Sequence, residues 1–276
     1  MKIVVTTGRD VDGVHEERAA RLAARFSVPL VPRGNLQKMG EDADCFYVVR
    51  RACEELRHKD GRSAHVQPGM MPTKLQQGPQ HPFIRAVRGA FDGGGDDGED
   101  VESIVDATLG LANDAVHLAA LTGARVRGIE KSPWLFALLE EGLPRIAKSD
   151  EAWADAAARV SAECGDSADV LAAADDDSAD VVVIDPMMSR ARKNAPSFDL
   201  LRDFAEMSRA SPQLLREAWR VCRRRVVLKL GKGAPLPINR SIEFPRHVDG
   251  AHVAYWVHEK GADPLFVDDD VATSGP

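Results

Sequence analysis

Long apolar runs are missing from this chain. No stretch approaches the roughly 20 residues that a membrane helix needs, and Met1-Lys2-Ile3-Val4-Val5 reads as a strand meeting Thr6-Thr7-Gly8, not as a charged-then-apolar leader. A soluble, cytoplasmic protein that is not exported is therefore expected. Cysteine is scarce too: Cys45, Cys53, Cys164 and Cys222 lie far apart, form no C-x-x-C pair and have no histidine spacing that would gather a tetrahedral metal. Reduced thiols and no metal centre are expected. Also absent are an internal repeat, a G-x-G-x-x-G dinucleotide fingerprint and a Walker lysine. Positive charge is not in excess, and the formal net charge of −7 argues against indiscriminate nucleic-acid binding, which rests on phosphate neutralisation. A local basic face stays open.

What is present suits an α/β protein. With 276 residues, 44% hydrophobic and 29% charged, the chain can bury one full core and carry a smaller appendage. Residues 1–91 read as a small α/β extension, a candidate RNA-gripping unit, with strands at Ile3–Thr7, Val28–Val31 and Cys45–Val49. Helices are expected at Val14–Phe26, Leu36–Met39 and Phe83–Phe91, and a polar blur with a turn at Gln67-Pro68-Gly69-Met70 lies between. Residues 92–100 hold only Asp, Gly and Glu and read as a flexible loop. From residue 101 to 276, strands near Ile104–Asp106, Arg125–Ile129, Val160–Ala162, Val181–Ile184, Arg225–Leu230 and Val253–His258 alternate with helices. That spacing predicts a Rossmann-like, mostly parallel seven-stranded sheet with helices on both faces and an antiparallel edge strand.

The chemistry gathers around Ile104–Asp114. An apolar strand ends in Asp106, turns through Thr108 and Gly110, and starts a helix at Asn113-Asp114. In an open α/β sheet such a loop faces the crevice beyond the strand ends, where a nucleotide-like ligand sits. Glu130 ends the next strand, where a carboxylate can accept both hydroxyls of a ribose. Asp106 suits an ammonium better than a pyrophosphate, whose charge it would repel. Together these favour S-adenosylmethionine, which has an amino-acid end and a ribose but no phosphate. The alternative is that Asp106 and Asp114 serve as turn and cap residues. For Cys164-Gly165-Asp166-Ser167, capping is expected of Ser167, and either capping or adenine contact of Asp166. Val181–Ile184 delivers Asp185-Pro186-Met187 to the carboxyl edge, where a carboxylate and stiff carbonyls can hold an exocyclic amine by its N–H groups. Asp185 can then take the amine's proton.

Val105–Ala115, Gly128–Pro133, Leu138–Leu143, Asp185-Pro186-Met187 and Arg225–Lys229 together resemble the ribosomal small-subunit methyltransferase J family and its uncharacterised relatives, over roughly Ile104 to Lys232. The resemblance implies S-adenosylmethionine held by Asn113-Asp114, Glu130-Lys131, Asp166-Ser167 and Asp185, and methylation of a guanine N2 in small-subunit ribosomal RNA. Two departures stand out. Met188 replaces the aromatic residue that often follows Asp-Pro-Met in the family, and the N-terminal unit differs from that of the better-known bacterial members. Arg190, Arg192 and Lys193 follow the Asp-Pro-Met loop and, with Lys229, are the candidate RNA contacts. Lys229 either points into the cleft or snorkels at its strand end. Methylation of a small molecule or protein side chain, and a catalytically silent RNA-binding or assembly factor, are the alternative functions.

Overall fold

A computed structural model describes residues 1–34, 43–67, 71–91, 98–186, 200, 204, 210–236 and 243–261. The N-terminal unit opens with β1 (Ile3–Thr7) and α1 (Gly13–Phe26), followed by β2 (Cys45–Val49), β3 (Glu55–His58) and β4 (Ser63–Ala64). These form a four-stranded sheet in the order β1-β2-β3-β4, with β1 parallel to β2 and the rest antiparallel. Asp12 starts α1 by accepting the His15 amide, and Ala19, Leu22 and Ala23 make its buried stripe. The strand expected at Val28–Val31 shrinks to one parallel bridge between Val5 and Leu30. Pro29 and Pro32 lack the N–H a longer ladder would need. The helix expected at Leu36–Met39 lies outside the described residues, as does most of the Gln67–Met70 turn. Next come α2 (Met71–Gln77), one 3₁₀ turn and α3 (Pro82–Arg88), which His81 caps by accepting the Phe83 amide at 3.1 Å.

The larger sheet is built from β5 (Ser103–Asp106), α4 (Asn113–Thr122), β6 (Arg125–Glu130), α5 (Pro133–Ala147), α6 (Ala154–Ala158), β7 (Val160–Cys164), α7 (Ser167–Ala172), β8 (Ala179–Ile184), α8 (Pro212–Val221), β9 (Cys222–Gly231), β10 (Arg246–Asp249) and β11 (Val253–Glu259). Its seven strands run β10-β11-β9-β8-β5-β6-β7. All pairs from β9 to β7 are parallel, while β11 lies antiparallel between β9 and β10. The antiparallel strand expected at the edge is thus one position in. The outer strand β10 escapes a sequence reading because only Val248 of Arg246-His247-Val248-Asp249 is buried, so it shows no apolar pattern. The chain winds outward from β5 in one direction through β6 and β7, and from β8 in the other through β9. The neighbours β5 and β8 therefore mark the topological switch point, and a crevice opens beyond their carboxyl ends.

The N-terminal unit packs against α5, and one continuous apolar core runs through both. Phe26 stacks on Trp134 at 3.9 Å, and Arg25 pairs with Glu140 at 2.6 Å. The Arg18 guanidinium forks onto buried Glu54 and also reaches the Ala137 carbonyl at 3.2 Å. Contact is tightest at Gly142, where an added Cβ would stand 2.3 Å from the Val66 Cβ. Gly142 lets α5 and Val66 approach this closely, and Arg145 locks the approach by donating to the Val66 carbonyl at 2.7 Å. Gly142→Ala is expected to destabilise the protein by about 1–3 kcal/mol, read as a lowered midpoint in urea, because the overpacked methyl has no free space.

Of the 92–100 loop, residues 92–97 lie outside the described residues. Its last part is held: Arg225 pairs with Glu99 at 2.6 Å, and Arg88 donates to the Glu99 carbonyl at 3.1 Å. Among the described residues no helix is long and apolar enough to cross a membrane.

Candidate active site

The loop after β5 is tied on three sides. Asp106, only 3% exposed, accepts the Thr108 amide at 3.0 Å, and the Thr108 hydroxyl accepts the Asp185 amide at 2.6 Å. Thr108 thus straps the β5 and β8 loops together across the switch point. The Ser167 hydroxyl donates to the Ala107 carbonyl and joins the same loop to α7. On the third side Glu130, at the tip of β6, accepts the amides of Gly110 at 2.8 Å and Ser132 at 2.7 Å. The chain then turns through Gly110 at φ +57° and Ala112 at φ +61°. For Ala112 that backbone costs about 1–3 kcal/mol, which the surrounding hydrogen bonds must over-determine. Gly128 permits the fit beneath, since a Cβ there would stand 2.3 Å from the buried Leu109 side chain.

Burial governs the charges. It lifts the Asp106 carboxyl to about 7, aided by nearby Asp114 and Asp185, and it lifts Glu130 to about 7 against the pull of its two amide donors. A second cluster lies alongside. The Lys229 ammonium, on β9, donates both to Asp114 and to Asp185, the latter at 2.7 Å, while Lys74 of α2 meets the other oxygen of Asp114 at 2.6 Å. Burial works against the charge on Asp114, but Lys229 and Lys74 outweigh it and hold that carboxyl well below the usual range. Asp185 has only its share of Lys229, so burial and the Asp114 charge raise it above the usual range. Burial also opposes the charge on Lys229, yet the two carboxylates keep its ammonium firmly protonated. The Asp185 side chain is 39% exposed, against 20% for Asp114 and 19% for Lys229, so Asp185 is the member that faces the cleft.

Shared hydrogen bonds and ion pairs bring Asp106, Thr108, Gly110, Asp114, Glu130 and Asp185 together at the carboxyl ends of β5, β6 and β8, with Asn113 beside Asp114 and the buried Pro186 beside Asp185. Asp166, ahead of α7, is paired with Lys131 at 3.2 Å. The cap of α7 is Asp166, which accepts the Ala168 amide at 2.9 Å, and not Ser167, whose hydroxyl is engaged by Ala107. Of the two places open to Lys229, its ammonium takes the one toward the cleft, between Asp114 and Asp185, and does not snorkel at the strand end. Compensated by two carboxylates, it adds no net positive charge to a surface. Met187, Arg190, Arg192 and Lys193 lie outside the described residues. Sequence reasoning missed Lys74, which sits in the polar stretch before His81 and carries no motif. His81 and His117, to which no role was given, meet edge to face at 4.4 Å beside this cluster.

A family described as "Putative SAM-dependent methyltransferase" matches residues 85–245, more than half of the chain. The chain belongs to this family. Ribosomal RNA small subunit methyltransferase J of Pseudomonas aeruginosa strain UCBPP-PA14 is 31% identical over 84% of this chain and 96% of its own length. The protein of that name from Nitrosococcus oceani is 34% identical over 79% and 85%. Two further Pseudomonas aeruginosa relatives are 35% identical, and the chain spans 60% of their length. The crystal structure of a SAM-dependent methyltransferase from Neisseria gonorrhoeae shares the fold, with a TM-score of 0.63, 20% identity and coverage of 98% of this chain and 99% of that one.

The residues at these strand ends fit S-adenosylmethionine on their donor set. Two buried carboxylates at neighbouring strand tips suit hydroxyls and a cation and would repel a pyrophosphate. The Asn113 Oδ1 is buried without a hydrogen-bond partner among the described residues, an acceptor left for a ligand donor. Among the described residues no cluster of His, Cys, Asp or Glu could hold a metal ion.

Proposed function

We propose that this methyltransferase modifies the exocyclic N2 of a guanine in small-subunit ribosomal RNA, in the cytoplasm. The observation that carries the reading is the Asp185 carboxylate, half-exposed at the switch point and strapped to the cofactor loop through Thr108. The names of the relatives and the resemblance of the Asp185-Pro186-Met187 segment support the RNA substrate. Glu130 would hold the cofactor's ribose, Asp106, Asn113 and Asp114 its amino-acid end, and Asp166-Ser167 with Lys131 its adenine side. When bound, S-adenosylmethionine supplies a methyl group on a cationic sulfur that leaves as a neutral thioether.

The chain's own part is positioning and one proton. Asp185 accepts an N–H of the amine, which turns the nitrogen lone pair into the cleft. Once the new N–C bond has formed, the nitrogen carries a surplus proton, and Asp185 takes it. Pro186 stiffens the backbone that presents this carboxylate, and Met187 follows it. Arg190, Arg192 and Lys193, together with the N-terminal unit, are the proposed contacts to the RNA backbone.

The test is transfer of tritium from labelled S-adenosylmethionine to ribosomal RNA from cells lacking the protein, followed by mass spectrometry of the nucleosides. N2-methylguanosine is the expected product. Label appearing only in protein or small metabolites would overturn the RNA assignment.

A further inference from the structure

We propose that Lys229, steadied through Asp114 by Lys74 of the N-terminal unit, is the positioning residue that aims Asp185 at the methyl-accepting amine. This assignment rests on the methyl-transfer reading above. A carboxylate at the end of a strand and 39% exposed is free to rotate unless something holds it. Here one oxygen is held by the Lys229 ammonium at 2.7 Å, and among the described residues no donor reaches the other. That contact fixes a carboxylate whose side chain is still 39% exposed.

The lysine is itself fixed. Its ammonium lies 6.0 Å from the centre of the Phe83 ring, and Asp114 grips it from α4. Asp114 is in turn held at its other oxygen by Lys74 at 2.6 Å, from an element some forty residues upstream of it. Two carboxylates and two ammonium groups balance, so the buried lysine keeps its charge without drawing Asp185 wholly into an ion pair. The other titratable groups facing the cluster are Asp106 from β5, His117 from α4, His81 ahead of α3 and Tyr255 from β11. The N-terminal unit therefore supplies a part of the methyl-transfer site.

Two readouts test this. In the free protein, the carboxyl carbon of Asp185 is followed by NMR against pH and assigned by its loss in Asp185→Asn. In the loaded enzyme, kcat and KM for ribosomal RNA are measured across the same range. Lys229→Met is expected to move both the Asp185 titration and the acidic limb of kcat upward by about one pH unit or more, with kcat down about 10–100-fold and KM little changed. Lys229→Arg should restore the titration and most of kcat, and Lys74→Met should shift the titration in the same direction by less. An Asp185 titration and acidic limb unchanged in Lys229→Met would overturn the proposal, and if that variant fails to fold, an unshifted titration in Lys74→Met does so. A wild-type protein that transfers no methyl group to RNA would instead sink the function on which the assignment rests, while the titration still decides the pairing.

Discussion

Asp185→Asn is expected to slow methyl transfer by a factor of about 10²–10⁴ while S-adenosylhomocysteine still binds. The amide has the shape of the carboxyl group, and the strap from the Asp185 backbone amide to the Thr108 hydroxyl at 2.6 Å does not involve the side chain. The fold and the cofactor loop should therefore survive. What the amide removes is the proton acceptor and half of the charge that Lys229 compensates, since Lys229 spans Asp114 and Asp185. Single-turnover transfer on a saturating RNA fragment measures the loss, and calorimetry with S-adenosylhomocysteine shows whether the pocket is intact. A rate near that of the unaltered protein would take Asp185 out of the chemistry.

The sequence pattern reaches the fold and one half of the site. Strands such as Val181–Ile184, buried on both faces, can hardly be anything but the middle of a parallel sheet, and each ends in a residue whose type matters. Asp106, Glu130 and Asp185 were legible for that reason, because a charge at the end of an apolar run stands at the carboxyl edge wherever the strands are stacked. Lys229 carried a similar signal, a lysine within an otherwise apolar strand, but its partners did not. They come from α4 and from the loop after β8, and only the parallel order β9-β8-β5 brings them within reach.

The rest was hidden for physical reasons that differ from place to place. Lys74 belongs to a seven-residue helix in a polar stretch, and its meaning arises from a contact to Asp114 that no local pattern encodes. β3 was obscured because Glu55 and Arg57 flank Leu56, and their charges are satisfied by Arg50 and by exposure rather than signalled by alternation. At Asp166-Ser167 both residues are good caps. The choice between them was made by the Ala107 carbonyl, a tertiary acceptor that claims the serine.

Cofactor affinity is expected to fall steeply as pH drops from about 8 to about 6, because the carboxyls of Asp106 and Glu130 both titrate at about 7 in the free protein. A ligand that brings a cation to Asp106 and hydroxyl donors to Glu130 selects the ionised forms. Below pH 7 each group must first lose a proton, costing up to about tenfold in affinity per pH unit for each, or about a hundredfold for both. Stability of the free protein should move the other way. The unfolded chain releases these two protons near the ordinary carboxyl values of 3.8 and 4.5, whereas the folded protein keeps them until about 7. Between those limits the native state binds more protons than the unfolded one, so this contribution favours the fold at low pH and is lost as pH rises towards 7. Calorimetry of S-adenosylmethionine binding at pH 6, 7 and 8, beside urea unfolding of the free protein at the same values, separates the two slopes. Asp106→Asn should flatten its share of both, because the amide preserves the acceptor for the Thr108 amide and removes the proton that couples binding to pH. Binding that stays level across this range would mean that neither carboxyl meets the ligand in its ionised form, and the pairing of Asp106 and Glu130 with a cationic, hydroxyl-bearing cofactor would have to be abandoned.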